Sequence, residues 1–275
     1  IDIVYIIGDG IEAYTSALAA HFLNIPIAHF GGGTITMGAV DNIYRYNITN
    51  LSDVHFATSK NNYQRLLECT LTENENVHFT GSSAIDGIME YKAKNSPTVK
   101  GEKEKYRYAL MTFHPVTASS EPIPNLMDLA IDNILQNDCS LVLTYPNNDV
   151  GCEDIIEVIN KWKSHEKVNV NTNLGAEAYY RAIENSLFVI GNSSSGITEV
   201  PYFNKPVINI GSRQQGRDKD SLVTDVEAAV HTVEKSIKAG FKKGWKKQNC
   251  SKLYGEGDST NKMLNIIKEW FYSDQ

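Results

Sequence analysis

The stretch LFVIGNSSSGITEVPYFNKPVINIGSRQQGR, residues 187–217, decides the fold that we expect for this chain. Its apolar run Leu187–Ile190 has the length of a buried strand and ends abruptly at Gly191. Small polar residues follow as far as Gly196, where a segment of helical character begins. A plain turn needs fewer residues, so this run predicts a loop that serves a ligand at the end of a buried strand.

Short apolar runs alternate with longer amphipathic segments along the rest of the chain. The predicted strands are Ile3–Ile7, Pro26–Phe30, Val54–Thr58, Val77–Thr80, Tyr108–Phe113, Leu141–Tyr145, Val168–Asn171, Leu187–Ile190 and Pro206–Ile210. The predicted helices are Ala13–Leu23, Asn61–Cys69, Ile123–Leu135, Cys152–Trp162, Ala176–Ile183 and Asn261–Phe271. Apolar strands that alternate with amphipathic helices are typical of βαβ units, so we expect an α/β fold with parallel sheets.

The charged, apolar-poor segment Lys92–Lys105 interrupts this alternation. It predicts a linker between two Rossmann-like domains that meet at a ligand cleft. We expect residues 1–100 to form the C-terminal part of the first domain, with helix 261–272 packed back on it, and residues 101–258 to form the second. The chain opens directly on the strand-like run IDIVYII, so we expect earlier strands to precede it and this segment alone to be inactive.

Composition narrows the class of protein. A chain of 275 residues is long enough for two domains, and its 41% hydrophobic residues are ordinary for a globular protein. The net charge of −7 gives no general attraction to nucleic acid or to anionic membranes. The four scattered cysteines form no CxxC pair, which is typical of reduced cysteines in a cytoplasmic protein. The histidines show no metal-ligand spacing, so we expect no metal site.

Candidate functional residues of the first half come directly after predicted strands. Asp9 can either cap the next helix or project into the cleft. Glycines 31–33 permit either a close approach to a ligand or a flexible turn. Asp41 and Arg45 stand four residues apart on one predicted helical face. They form either a surface ion pair or an acid that a neighbouring base orients.

The second half carries polar residues at corresponding positions. His114 follows a strand and precedes a proline, a geometry that suits a phosphate contact or a general acid. Asn192, Ser193 and Ser194 lie where backbone N–H groups and hydroxyls at the start of a helix bind phosphate oxygens. The alternative for these serines is a simple helix cap.

Three charged residues follow the serine-rich loop. Glu199, predicted inside the helix, suits the vicinal hydroxyls of a ribose better than a phosphate. Arg213 and Arg217 are two cations able to neutralise a diphosphate. Together with the loop, these residues predict a nucleoside diphosphate that is held mainly by the second domain.

The stretch 187–217 resembles the nucleotide-binding and sugar-binding region of hydrolysing UDP-N-acetylglucosamine 2-epimerases, especially the sialic-acid-pathway branch. Further similar motifs, in the same order, are GDGIEAY at 8–14, GAVDNIYRYNIT at 38–49, FHPVT at 113–117, PNNDVG at 146–151 and YGEGDST at 254–260. The resemblance covers nearly the whole chain and implies the fold shared with GT-B glycosyltransferases. It also implies a UDP-sugar substrate, a homodimer, and neither a metal nor a nicotinamide cofactor.

The resemblance further implies elimination of UDP anti across C1–C2 of the sugar, followed by hydration of the 2-acetamidoglucal to free N-acetylmannosamine. Removal of the C2 proton needs a carboxylate base, and cations and amides must stabilise the departing UDP. By position, Asp9 and Asp41 match acidic catalytic residues, and Arg45 supports them. The positions that match UDP-holding residues are His114, Ser193, Ser194, Glu199 and Arg213.

Three departures from the family's motifs fall on the sugar side. Family members carry a glutamate at the position of Gly31 or of Thr34, an arginine at Gly10 and a histidine at Tyr46. The loss of a catalytic carboxylate can lower a rate by orders of magnitude. A related sugar, such as a diacetamido-trideoxy sugar, fits these changes. Two alternatives stay open, namely a glycosyltransferase of the same fold that uses a UDP-sugar and a catalytically impaired UDP-sugar-binding protein.

Overall fold

The computed structural model describes residues 1–37, 41–69, 73–95, 107–117, 120–245 and 248–273, which form two parallel β-sheets. The first sheet has the strand order β1-β2-β3-β4, with β1 at Val4–Ile7, β2 at Ile27–Phe30, β3 at Val54–Ala57 and β4 at Val77–Phe79. The second has the order β10-β9-β8-β5-β6-β7, with β5 at Tyr108–Thr112, β6 at Ser140–Thr144, β7 at Val168–Asn171, β8 at Val189–Gly191, β9 at Val207–Ile210 and β10 at Val223–Val226. The α/β class and the parallel sheets are as predicted.

Helices connect the strands of both sheets. In the first half they are α1 (Ile11–Phe22), α2 (Asn42–Leu51), α3 (Lys60–Cys69) and α4 (Ser83–Lys94). In the second half they are α5 (Ile123–Gln136), α6 (Cys152–Trp162), α7 (Gly175–Asn185), α8 (Ser194–Thr198), α9 (Val230–Lys243) and α10 (Ser259–Ser273). Short 3-10 turns cover Asn74–Asn76 and Val200–Phe203. No helix in the described ranges is long and apolar enough to span a membrane.

The second sheet is covered by helices on both faces, and its central strands are buried. Met111, Leu141 and Ile190 are almost inaccessible to solvent and pack in one cluster with Leu126 of α5 and Ile159 of α6. Burial on both faces explains why these strands read as continuous apolar runs in the sequence. The strand order reverses between β5 and β8, so the loops after these two strands open a crevice at the carboxyl edge of the sheet.

Helix α10 packs back on the first sheet. Its Met263 lies in a buried cluster with Ala28 and Phe30 of β2 and with Phe56 of β3. Trp270 packs against the same cluster from the end of the helix. Helix α10 therefore covers one face of the first sheet and completes its core there.

The segment between the two sheets differs in part from the predicted linker. Residues 92–94 of that segment belong to helix α4, because Ile85 and Ile88 of this helix are buried against Tyr180 and so hold its turns in place. Residues 96–106 lie outside the described residues. The proposed division of the chain at residue 100 therefore remains a prediction.

Strand β10 and helices α4 and α9 were not predicted from the sequence. Strand β10 has the sequence VTDV and lies at the edge of its sheet, where its Asp225 is exposed. An edge strand of mixed polarity lacks the apolar run that marks the central strands. Helix α4 contains Gly87, and a glycine weakens the helical pattern of the sequence. A Cβ atom at this position would lie 3.2 Å from the hydroxyl oxygen of Tyr180, which packs closely against the helix there.

Candidate active site

Strand β8 ends at a glycine because its backbone touches the neighbouring strand there. Gly191 lies opposite Thr112 of β5 and has a φ of 142°. A Cβ atom at this position would lie 1.8 Å from the carbonyl oxygen of Thr112. Only glycine allows this approach, so the loops after β5 and β8 leave the sheet side by side.

Asn192 joins these two loops. It is fully buried, and its Oδ1 accepts a hydrogen bond of 2.7 Å from the backbone N–H of His114. Its Nδ2 donates to the carbonyl oxygen of His114 at 2.8 Å. Gln214 in turn donates to the backbone oxygen of Asn192 at 2.9 Å. Asn192 thus holds the framework of the crevice, and it does not line the cavity as the sequence-based assignment to ligand binding implies.

A cavity of about 550 Å³ lies above this framework, at the carboxyl ends of the second sheet. It brings together five of the residues predicted to hold a nucleotide, namely His114, Ser193, Ser194, Glu199 and Arg213. Other lining residues come from the loops after β6 and β7 and from α7, among them Tyr145, Asn147, Asn173 and Tyr179. A cavity of this size and polarity can hold a nucleotide.

His114 faces this cavity as a neutral imidazole. Its Nδ1 accepts a hydrogen bond of 3.1 Å from the backbone N–H of Asn147. Burial, together with the positive charge of Arg213, lowers the pKa of His114 to about 4. The ring proton therefore resides on Nε2, which can donate to an oxygen of a ligand without carrying a charge.

Glu199 contributes a carboxyl group at the same cavity. Helix α8 ends at Thr198, so Glu199 lies one residue beyond the helix and not inside it as predicted, because Pro201 cannot continue the helical hydrogen bonds. Burial raises the pKa of Glu199 to about 7. Near neutral pH this carboxyl group can lose its proton, and the resulting carboxylate can accept hydrogen bonds from ligand hydroxyls.

The serine-rich loop is backed by a tyrosine that the sequence reasoning missed. The hydroxyl of Tyr179 lies 2.5 Å from Oγ of Ser195, which is 3.2 Å from Oγ of Ser193. Burial raises the pKa of Tyr179 to about 12, so it keeps its proton. Ser193, at the N-cap of helix α8, makes no side-chain capping hydrogen bond, and Ser193 and Ser194 both line the cavity. The signal was the pair Tyr179–Tyr180, since only one of two adjacent helical residues can face the core.

A second cavity, of about 850 Å³, is lined from both halves of the chain. Asp9, Glu12 and Asp41 come from the first half, and Asn147 and Asp149 come from the loop after β6. Burial raises the pKa of Asp41, the carboxylates of Asp149 and Glu12 raise it further, and Arg213 opposes them. A carboxylate whose pKa is raised is a stronger base, so Asp41 suits the removal of a proton from carbon.

Arg45 forms an ion pair with Asp9 and not with Asp41. The buried Arg45 side chain turns inward, where its Nη1 also donates to the carbonyl oxygen of Thr34 at 2.7 Å. The predicted pair of Asp41 and Arg45 is therefore wrong, because these interactions draw the guanidinium away from the helix surface. Asp9 does not cap helix α1 either, since Gly10 occupies the N-cap position. Nε2 of the buried His29 donates to the carbonyl oxygen next to Asp9, at Gly8, over 3.2 Å.

A third cavity, of about 220 Å³, contains Arg217 beside Asp9 and Arg45. Arg213 does not line it, so the two arginines that were predicted to neutralise one diphosphate lie in separate cavities. Burial lowers the pKa of Arg217, and its buried Nε has no hydrogen-bond partner among the described residues. The structure therefore assigns the two cations to different parts of the cleft.

The glycine-rich loop after β2 packs against helix α3 and also lines this third cavity. Gly33 has a φ of 72°, and a Cβ atom there would lie 2.4 Å from the carbonyl oxygen of Asn62. This glycine therefore serves a close contact with helix α3. Gly31 and Thr34 line the third cavity, and the Thr34 hydroxyl accepts a hydrogen bond of 2.8 Å from the Asn62 side chain. Gly31 and Thr34 therefore present neutral groups to this cavity.

No group of three or more histidine, cysteine, aspartate or glutamate side chains in the described part of the chain could hold a metal ion.

Two parallel sheets with a polar cleft at their carboxyl ends define a GT-B-like α/β protein, as the sequence predicts. The sequence model of the UDP-N-acetylglucosamine 2-epimerase family matches residues 1–268. The chain therefore belongs to this family, and the resemblance noted in the sequence is confirmed.

Curated relatives support this membership. The UDP-N,N'-diacetylbacillosamine 2-epimerase (hydrolyzing) of Legionella pneumophila is 31% identical over 270 residues, which cover 97% of this chain and 71% of the relative. The GDP/UDP-N,N'-diacetylbacillosamine 2-epimerase (hydrolyzing) of Campylobacter jejuni is 32% identical over 248 residues, which cover 85% of this chain and 63% of the relative. Among solved structures, the UDP-GlcNAc 2-epimerase of Neisseria meningitidis bound to UDP-GlcNAc matches with a TM-score of 0.80 and 19% identity. That match covers 98% of this chain and 76% of the other, and it shows the shared fold.

Proposed function

We propose that this protein is a hydrolysing 2-epimerase that converts a UDP-2-acetamido sugar into UDP and the free 2-epimeric sugar. The observation that carries this proposal is the position of Asp41, a carboxylate of the first half that faces Asp149 and Arg213 of the second. Asn147 lines both the nucleotide cavity and the cavity of Asp41, so the two are adjacent. A base thus stands beside the place where the leaving group would be held.

The nucleotide would be held by the first cavity. Arg213 supplies a cation for the diphosphate, and Nε2–H of His114 and the Ser193 hydroxyl supply neutral hydrogen-bond donors. Glu199 would accept hydrogen bonds from the two ribose hydroxyls. Donors and a cation at the diphosphate also favour its departure, since they stabilise the charge that develops as the bond to C1 breaks.

Asp41 would act as the base in the elimination step. It would take the proton from C2 while the electrons of the C2–H bond form the C1–C2 double bond and those of the C1–O bond leave with UDP. In the second step C2 would take up a proton on the opposite face, and water would add to C1 and lose a proton to a carboxylate. Asp9, held by Arg45 at the third cavity, is the second carboxylate in position for these transfers.

The positions at which we expect a glutamate to be replaced, Gly31 and Thr34, both line the third cavity. The relatives from Legionella pneumophila and Campylobacter jejuni act, by their names, on a diacetylated sugar nucleotide. Gly31 and Thr34 leave the third cavity lined by small neutral groups beside Arg45 and Arg217. We therefore infer that a UDP-diacetamido sugar is a better substrate than UDP-N-acetylglucosamine. The neutral Thr34 also favours one second candidate, a protein that binds UDP-sugars and turns them over poorly.

The experiment is a comparison of UDP-sugars. The full-length protein and its Asp41→Asn variant are incubated with UDP-N-acetylglucosamine and with UDP-N,N'-diacetylbacillosamine, and released UDP and free sugar are quantified. We expect release from the diacetamido sugar by the wild type and a loss of at least about 100-fold in the variant. Tight UDP binding without release from either sugar would instead identify the impaired binding protein.

A further inference from the structure

The loop between β6 and α6 carries a carboxylate into the cavity that contains Asp41. Asp149, in this loop, lines the second cavity together with Asp41 and Glu12. Its Oδ2 lies 3.7 Å from Nη2 of Arg213. This distance is too long for a hydrogen bond, so the two groups form a loose ion pair. The Asp149 side chain is 42% exposed, whereas that of Arg213 is 16% exposed.

Arg213 therefore has two possible partners. It lines the nucleotide cavity, where a diphosphate would bind, and it also faces Asp149. A diphosphate carries more charge than a carboxylate and accepts paired hydrogen bonds from a guanidinium. A loose and partly exposed ion pair is worth little by comparison. A bound diphosphate would take Arg213 away from Asp149.

We propose that Asp149 is a positioning residue that links the occupation of the nucleotide cavity to the proton-accepting strength of Asp41. This inference rests on the proposed function. Without a nucleotide, Arg213 balances the charge of Asp149. With the diphosphate on Arg213, the Asp149 carboxylate is left unneutralised opposite Asp41, which then holds a proton more tightly. The base is thus strengthened when the leaving group is in place.

The charged and titratable groups around Asp41 all bear on this effect. They are Asp9 at the end of β1, Glu12 on α1, Tyr44 on α2, Asp149 after β6 and Arg213 after β9. Burial is the largest cause of the raised pKa of Asp41, followed by the charge of Asp149. Arg213 lowers this pKa, and Glu12 adds a smaller increase. When a diphosphate binds Arg213, the lowering effect of Arg213 on the pKa of Asp41 is weakened and the charge of Asp149 is no longer balanced. Both changes raise the pKa of Asp41.

The test compares the full-length wild type with Asp149→Asn and Asp149→Glu. Because Asn removes a competitor for Arg213, UDP should bind Asp149→Asn about two- to fivefold more tightly by calorimetry. The acidic limb of the pH profile of kcat follows the pKa of Asp41. Because removal of the Asp149 charge lowers this pKa, the limb should move to lower pH in Asp149→Asn. The plateau of kcat should fall about three- to tenfold, since a weaker base abstracts the proton more slowly. Asp149→Glu should restore all three values.

Asp154→Asn is the matched control, because Asp154 is exposed in the first turn of α6, five residues from Asp149. It should leave UDP affinity and the pH profile unchanged. Either an unchanged acidic limb or an unchanged UDP affinity in Asp149→Asn would overturn the inference. The affinity comparison needs no turnover. A wild type that binds UDP and releases no sugar would contradict the proposed function, while equal UDP binding by Asp149→Asn would contradict the coupling on its own.

Discussion

At the scale of single residues, the pH dependence of nucleotide binding should come from Glu199 and not from His114. Burial raises the pKa of Glu199 to about 7, and burial and Arg213 lower that of His114 to about 4. Ribose hydroxyls would donate to the ionised carboxylate of Glu199. The affinity of the wild type for UDP relative to that of Glu199→Gln should therefore be about tenfold higher at pH 8 than at pH 6, with the variant binding more weakly at pH 8. Calorimetric titrations compare the two proteins at each pH value, so that the change in the ionisation of UDP itself cancels between them.

The same group should affect the stability of the unliganded protein in the opposite direction. The pKa of Glu199 is raised in the folded state from 4.5 to about 7. The folded state therefore binds more protons between these values, and the free energy of unfolding should fall as the pH rises through this window. Urea denaturation of the wild type and of Glu199→Gln at pH 5 and 8 checks this. A wild-type protein that loses no more stability than the variant would contradict the assignment.

The positions of Asp41 and Arg45 were predicted only in part from the sequence. The sequence predicted Asp41 at the cleft, because polar residues that follow parallel strands gather at one edge, and Asp41 lines the second cavity. The sequence paired Arg45 with Asp41, but Arg45 forms its ion pair with Asp9. Spacing of four residues predicts ion pairs on the exposed surface of a helix, whereas the Arg45 side chain is buried. The pair Tyr179–Tyr180 was a local signal, but the contacts of Tyr179 with Ser195 and of Asp149 with Arg213 join distant elements and cannot be read from a local pattern.

At the scale of elements, the stability of the crevice should depend on Asn192. Its buried side chain satisfies both the N–H and the carbonyl oxygen of His114, and Asn192→Ala leaves these two groups unpaired. We expect the free energy of unfolding to fall by about 2–4 kcal/mol, measured by urea denaturation. Asn160→Ala, at an exposed position of α6, is the control and should cost less than about 0.5 kcal/mol. A small effect of Asn192→Ala would show that water replaces the side chain.

The elements with strong hydrophobic patterns were predicted to within a few residues, and α6 was predicted with its observed bounds. Strand β10 and helix α4 were missed for a physical reason. Their formation depends on tertiary partners, namely strand β9 for β10 and the aromatic side chain of Tyr180 for α4. Local sequence carries little information about such tertiary support.

At the scale of the whole molecule, the two parallel sheets followed from the alternation of strands and helices, while the arrangement of the cleft did not. The sequence predicted one diphosphate site with two arginines, and the fold separates Arg213 and Arg217 into different cavities. The chain between them turns through Gly216, where φ is 92°, and this turn carries Arg217 toward Asp9 and Arg45.

The central claim is that carboxylates of the first half remove and return the proton at C2 while the second half holds UDP. The most direct measurement is proton NMR of the full-length protein with a UDP-2-acetamido sugar in deuterated water. We expect UDP together with free 2-epimeric sugar that carries deuterium at C2, because the proton taken from C2 exchanges with solvent before hydration. Free sugar that retains its original proton at C2, or an unchanged UDP-sugar despite measurable UDP binding, would contradict it.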